Sequence, residues 1–106
     1  MKPTLQLELP AGTIAAFCRK WQITRLEVFG SALRDDFRPD SDIDFLASFA
    51  PESRWSLFDL AAMQCELEDI LGRKVDFVDR ISVERSPRPR RREAILNSAI
   101  PVYERT

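Results

Sequence analysis

The sequence predicts a small α/β (α+β) domain, and three patterns carry that prediction. Asp42-Ile43-Asp44-Phe45 alternates polar and apolar residues, the period-2 mark of a strand with one face in a core. Trp55 to Leu71 repeats apolar residues at helical spacing, and Arg25–Phe29 and Arg73–Asp79 are short strand-like runs on either side of these two segments. With 106 residues and 44% hydrophobic content, the chain is read as one domain over residues 1–106. A domain of that size has a modest core and little room for a separate substrate-specificity domain.

The elements follow in order. Between Gly12 and Gln22, Ile14, Phe17, Cys18 and Trp21 fall at i, i+3, i+4 and i+7, which predicts a first helix with Thr13 as N-cap. The run Arg25-Leu26-Glu27-Val28-Phe29 is a strand stopped by Gly30-Ser31, and Ala32-Leu33-Arg34 is expected to make one helical turn before the Arg38-Pro39-Asp40-Ser41 turn. In the next strand, Asp42 to Phe49, Ile43 and Phe45 point one way and Asp42 and Asp44 the other. The long helix places Leu57, Leu60, Ala61, Leu67 and Leu71 on one face and ends at Gly72. A third strand spans Arg73 to Asp79, a short helix is expected around Arg91 to Ser98, and Ile100 to Tyr103 reads as a terminal extended piece.

Composition excludes several chemistries. The chain has no histidine, which removes Ser-His-Asp and Cys-His catalysis and His-ligated zinc, and leaves acid/base work to carboxylates. Cys18 and Cys65 form no CxxC, and each lies on an apolar helical stripe, so both are expected to be buried free thiols. A net charge of −1 argues against nucleic acid as a direct substrate, because the phosphate backbone rewards a strongly positive surface. No apolar run is long enough for a membrane span and the Met1-Lys2-Pro3-Thr4 start lacks an apolar signal region, so a cytoplasmic protein is expected. The charge is nevertheless segregated: five aspartates lie between Asp35 and Asp44, and five arginines between Arg85 and Arg92.

Asp42 and Asp44, at i and i+2 of one strand, project from the same face, where like charges repel until a cation bridges them. Hard cations such as Mg²⁺ take a few carboxylate oxygens plus water and substrate phosphate, so this pair with a third carboxylate suits phosphoryl chemistry. Asp76 is the natural third member, because Val75 and Phe77 flank it as Ile43 and Phe45 flank Asp44. The plainer alternative is that these aspartates cap or solvate strand ends. Gly30-Ser31, between a strand and a helical turn, can offer backbone N–H groups and a hydroxyl to a polyphosphate, although a Gly-Ser pair by itself is most often only a turn.

Taken together, Gly30-Ser31, ten intervening residues, Asp42-x-Asp44 and a later Asp76 resemble the signature of the minimal nucleotidyltransferases of the DNA polymerase β superfamily. The resemblance runs from the first helix through Leu26-Glu-Val-Phe-Gly-Ser, Asp40-Ser-Asp-Ile-Asp-Phe-Leu and Leu71-Gly-Arg-Lys-Val-Asp-Phe-Val to Tyr103. It implies a small mixed sheet of three or four strands backed by helices, and transfer of a nucleoside monophosphate, usually AMP from ATP, to an acceptor. By position it implies Gly30 and Ser31 as triphosphate binders, Asp42 and Asp44 as ligands of two Mg²⁺ ions, and Asp76 as the third catalytic and metal-binding carboxylate. Family members of this length are commonly paired with a HEPN-domain toxin and serve as its antitoxin by adenylylating a tyrosine. The same resemblance therefore implies ATP and a HEPN toxin as partners.

Two other functions compete: a binding-only antitoxin that masks its toxin without turnover, and a small-molecule or antibiotic nucleotidyltransferase whose acceptor site comes from a second chain. For the arginine segment three readings stand, namely a solvated basic face, a partner-docking strip and a contact to nucleotide phosphate. Its two prolines are expected to keep it locally extended, with Arg88, Arg90 and Arg91 facing outward together.

Overall fold

The computed structural model describes residues 9–30 and 42–105. Among these, the elements in chain order are α1 (Ala11–Lys20), β1 (Ile23–Phe29), β2 (Ile43–Phe49), α2 (Leu57–Leu71), β3 (Val75–Asp79), α3 (Arg80–Glu84), α4 (Pro89–Ser98) and β4 (Ile100–Glu104). The four strands form one mixed sheet in the order β3-β2-β1-β4. β1 is antiparallel to both β2 and β4, whereas β2 and β3 are parallel. The parallel pair requires a crossover, which α2 supplies. This is the mixed, helix-backed sheet that the resemblance implies.

Helices cover the sheet on both faces. Ile43, Phe45 and Ala47 of β2 and Leu26 and Val28 of β1 pack with Ile14, Phe17 and Cys18 of α1 and Met63 and Leu67 of α2. On the other face Phe29 and Leu46 pack with Val83 of α3, and Val78, Ile95 and Leu96 close around them. Leu46 shares the face of Asp44 yet is fully buried. The expectation of a single buried face therefore holds only at the start of β2, because α3 and α4 cover the rest of the opposite face.

Several boundaries differ from the sequence expectation for identifiable reasons. α1 starts at Ala11 with Pro10 at the N-cap position, and Thr13 lies inside the helix rather than capping it. α2 starts at Leu57 under a full capping box: the Ser56 hydroxyl accepts from the Asp59 N–H, and the Asp59 carboxylate accepts from the Ser56 N–H. Its buried stripe is Met63 and Leu67, with Leu60, Ile70 and Leu71 packed alongside, while Leu57 is 83% exposed and Ala61 is also exposed. Leu57 sits too early on the first turn to reach the sheet. Gly72 ends the helix with a left-handed φ of 67°, as expected.

The short helix α3 is absent from the sequence expectation, and α4 begins at Pro89, not near Arg91. Proline at the first helical position loses no hydrogen bond, since that N–H has no intrahelical partner. The arginine segment is therefore helical from Pro89 onward, not extended. The expected helical turn at Ala32–Arg34 lies outside the described residues.

An aromatic and ionic clasp joins α1 to α2. Trp21 and Trp55 pack edge to face with centroids 5.2 Å apart, and Trp55 Nε1 donates to the Trp21 carbonyl at 2.8 Å. Lys20 Nζ and Trp21 Nε1 both donate to the Glu66 carboxylate. Burial pushes that carboxyl up, but the two hydrogen bonds and the charge of Lys20 together outweigh it and leave Glu66 below its ordinary range. Among the described residues no helix is long and apolar enough to cross a membrane.

The two thiols are not equivalent. Cys18 is buried as expected, but Cys65 is exposed, because the buried stripe of α2 runs through Met63 and Leu67 on another side of the helix. Burial pushes the Cys18 thiol up to about 12, with Arg19 offsetting only part of the effect. At pH 8 a thiol reagent should therefore label Cys65 promptly and Cys18 only after unfolding, with mass spectrometry reporting one adduct in the native protein and two in denaturant. Phe45→Ala, which empties a fully buried site in the central strand, should cost about 3–5 kcal/mol in denaturant unfolding.

Candidate functional site

The parallel register of β2 and β3 sets Ile43 beside Val75, Asp44 beside Asp76 and Phe45 beside Phe77. Because neighbouring strands lie about 4.8 Å apart, Asp44 and Asp76 leave the sheet side by side on the face covered by α3 and α4. β3 is an edge strand, and side chains from α2 hold its outer edge. Glu68 Oε2 accepts from the Val75 N–H at 3.0 Å, and Gln64 Oε1 accepts from the Phe77 N–H at 3.4 Å. The residue between them, Asp76, is thereby kept in register with Asp44.

Gly30 follows directly on β1, whose last residue, Phe29, pairs with Asp44. Its φ is 74°, in the left-handed region that favours glycine. A Cβ at position 30 would also overlap the Asp44 carboxylate, so both the backbone angle and the close approach call for glycine here. Asp44, Asp76 and Gly30 thus converge. They line a cavity of about 740 Å³, a size typical of small-molecule sites.

The sheet side of this cavity also includes Phe29 and Val78. The opposite wall comes from α3, through Ser82 and Val83, from Ser86 in the following turn, and from α4, through Arg91, Arg92, Ala94, Ile95 and Ser98. Asp42 is exposed immediately ahead of β2 and is not among the cavity-lining residues. Ser31 lies outside the described residues. Asp44 and Asp76 offer the hard oxygen donors that suit Mg²⁺. Among the described residues no three carboxylate or thiol side chains stand close enough to complete a metal site unaided. Two carboxylates in a roomy cavity nonetheless fit Mg²⁺, which keeps several waters and takes substrate phosphate oxygens as its other ligands.

Sequence reasoning missed an ion pair that secures the roof of this cavity. Glu27 is only 3% exposed, and its carboxylate accepts from Arg80 Nη1 at 2.6 Å, with Arg25 Nη2 at 3.5 Å. A buried carboxylate without a cation costs several kcal/mol, so Arg80 is a requirement of Glu27's position. Arg80 is the first residue of α3, and the pair fastens that helix over β1. The available signal was a carboxylate in the middle of the apolar run Leu26-Glu27-Val28. Its partner could not be read, being 53 positions away.

The chain also matches known proteins. The nucleotidyltransferase domain family matches residues 12–102. A protein of Methanocaldococcus jannaschii named as a protein adenylyltransferase, MJ0435, is 36% identical over 83 residues, covering 78% of this chain and 83% of that protein. A solved structure described as a minimal nucleotidyltransferase superposes with a TM-score of 0.66 at 35% identity, covering 86% of this chain and 87% of its own. A chain from a structure described as a tri-AMPylated Shewanella oneidensis HEPN toxin with its MNT antitoxin gives a TM-score of 0.61 at 19% identity, covering 89% and 69%. One from a toxin-antitoxin structure with AMP-PNP gives 0.69 at 19%, covering 91% and 74%. The last two share the fold.

Gly30→Ala separates the two demands on that position. The left-handed backbone should cost about 1–2 kcal/mol in denaturant unfolding, while the Asp44 carboxylate, at the free end of its side chain, swings aside. A crystal structure of the variant should show Asp44 displaced on an otherwise unchanged sheet. An Asp44 that keeps its place would contradict the close-approach argument.

Proposed function

The chain belongs to the nucleotidyltransferase domain family and is a nucleotidyltransferase, and on that premise we propose that it transfers AMP from ATP to a hydroxyl of a partner protein. The observation that carries this reading is the adjacency of Asp44 and Asp76 at a cavity where Gly30 closes against Asp44. The relative named as a protein adenylyltransferase supports a protein acceptor. The structural neighbour described as a tri-AMPylated HEPN toxin with its MNT antitoxin supports a HEPN toxin as that acceptor and an antitoxin role; a tyrosine as the modified residue and a cytoplasmic location complete the proposal.

In this reading the acceptor oxygen forms a bond to the α-phosphorus, the bond from that phosphorus to the bridging oxygen breaks, and pyrophosphate leaves. The acceptor's proton goes to a carboxylate, since the chain has no histidine. Asp76 is the group we assign to receive it. Gly30 and Ser31 bind the triphosphate: Gly30 allows the backbone to approach closely, and Ser31 adds a hydroxyl donor. Asp44 and Asp76 line the cavity and would hold Mg²⁺, with Asp42, two residues before Asp44 and outside the cavity lining, as the third candidate ligand of a two-ion site; when bound, the ions would supply charge neutralisation for the entering and leaving oxygens. The apolar residues Phe29 and Val78 on the sheet side and Val83 and Ile95 on the opposite wall lower the polarity of the cavity, which strengthens electrostatic contacts within it.

Calorimetry should show ATP binding in Mg²⁺ and far less in chelator, because the carboxylates repel an unbridged triphosphate. With α-labelled ATP and a purified HEPN partner, Asp42→Asn and Asp44→Asn should each lower AMP transfer at least about a hundredfold while leaving the melting temperature unchanged or raised. Asp76→Asn should do the same. A wild-type protein that binds the toxin and ATP without transferring label would replace this reading by a binding-only antitoxin.

A further inference from the structure

The five arginines between Arg85 and Arg92 look equivalent in sequence, but the fold divides them. Only Arg91 and Arg92, on the first turn of α4, line the cavity that holds Asp44 and Asp76. Arg88, Arg90 and Arg91 are all exposed, but Arg88 and Arg90 lie outside the cavity. Resting on the nucleotidyltransferase reading above, we infer that Arg91 binds the polyphosphate of the nucleotide and that Arg92 positions the turn which presents it.

Three observations lead there. Arg92 Nη1 already donates to the Ser86 carbonyl at 3.2 Å, so its guanidinium ties the α3–α4 turn to the helix. Among the described residues, Arg91 enters no ion pair or side-chain hydrogen bond. The first turn of α4 carries Arg90, Arg91 and Arg92 and no acidic residue, so cation is stacked on the helix end that is itself partially positive. An anion in the cavity relieves that repulsion.

The chemistry of the cavity calls for such a group. Its sheet side presents two carboxylates, which attract a metal ion and repel phosphate oxygens that the metal does not reach. A guanidinium from the other wall balances the remaining charge, and its planar fork matches two phosphate oxygens at once. Pyrophosphate gains negative charge as the α–β bond breaks, so a cation held at that end of the substrate favours departure of the leaving group. Arg88 and Arg90 lie outside the cavity and take no part in this contact.

The test is calorimetry on the full chain with Mg²⁺ present, using ATP and inorganic tripolyphosphate as separate ligands. Arg91→Ala should weaken both by a similar factor of about 10 to 100, the usual worth of one charge-assisted contact. Arg91→Lys should lose less, since it keeps the charge without the fork. The double variant Arg88→Glu with Arg90→Glu should stay within about twofold of wild type at physiological salt, where exposed charges outside the site are screened. Unchanged ATP affinity in Arg91→Ala would overturn the inference. So would an equal loss in the Arg88/Arg90 double variant, which would indicate a general electrostatic field. Loss of ATP with retention of tripolyphosphate would overturn it too, placing Arg91 against the base. Wild-type protein that binds no ATP at all would overturn the proposed function itself, and this inference with it.

Discussion

The parallel pairing of β2 with β3 is the constraint on which the rest of the molecule depends. Antiparallel hairpins could have satisfied the backbone of four short strands with tight turns, but they would not have set Asp44 beside Asp76 in this register. Parallel pairing demands a long crossover, and α2 answers it with side chains as well as length. Met63 and Leu67 seal one face of the sheet, while Gln64 and Glu68 hold the outer edge of β3. One helix thus supplies core, connection and register. Two carboxylates that would repel one another in solution are kept adjacent by contacts on the opposite side of the sheet.

The second face of the sheet is built differently. There the core is small, centred on Phe29, Leu46 and Val83, and α4 contributes no fully buried residue. Hydrophobic burial alone holds that layer weakly, so the short ionic contact between Glu27 and Arg80 carries a larger share of its placement. Arg80 is 28% exposed and also reaches Glu84, which makes the pair part of a chain of charges running from Arg25 through Glu27 into α3. Such an arrangement favours one geometry over others more than it adds stability. The thin layer leaves space for the cavity between sheet and helices, and the ionic contact keeps that space open at a defined place.

The chemistry follows from what the two walls bring. The sheet side contributes carboxylates and a glycine that gives way to one of them; the helical side contributes guanidiniums, hydroxyls and apolar surface. Neither wall alone distinguishes a nucleotide from any other charged solute. A cavity with carboxylates on one wall and guanidiniums on the other is complementary in charge to a polyanion accompanied by its cation.

Much of this was legible in the sequence. The alternation around Ile43 and Phe45, the helical spacing from Leu60 to Leu71 and the stop at Gly72 arise from local backbone geometry and the need to bury apolar surface, so they leave periodic marks that survive without a fold. The spacing of Gly30, Asp44 and Asp76 pointed to a common site, and the fold brings these three together while Asp42 stands outside the cavity lining. What the tertiary structure decided lay elsewhere. That Cys65 faces solvent while Cys18 does not, that Leu46 is buried beside Asp44, that Glu27 requires Arg80, and that Arg91 and Arg92 but not Arg88 and Arg90 line the cavity all depend on residues far apart in the chain. Contacts of that kind leave no periodic trace, because either partner alone is compatible with many surroundings and only the packed sheet and helices select one.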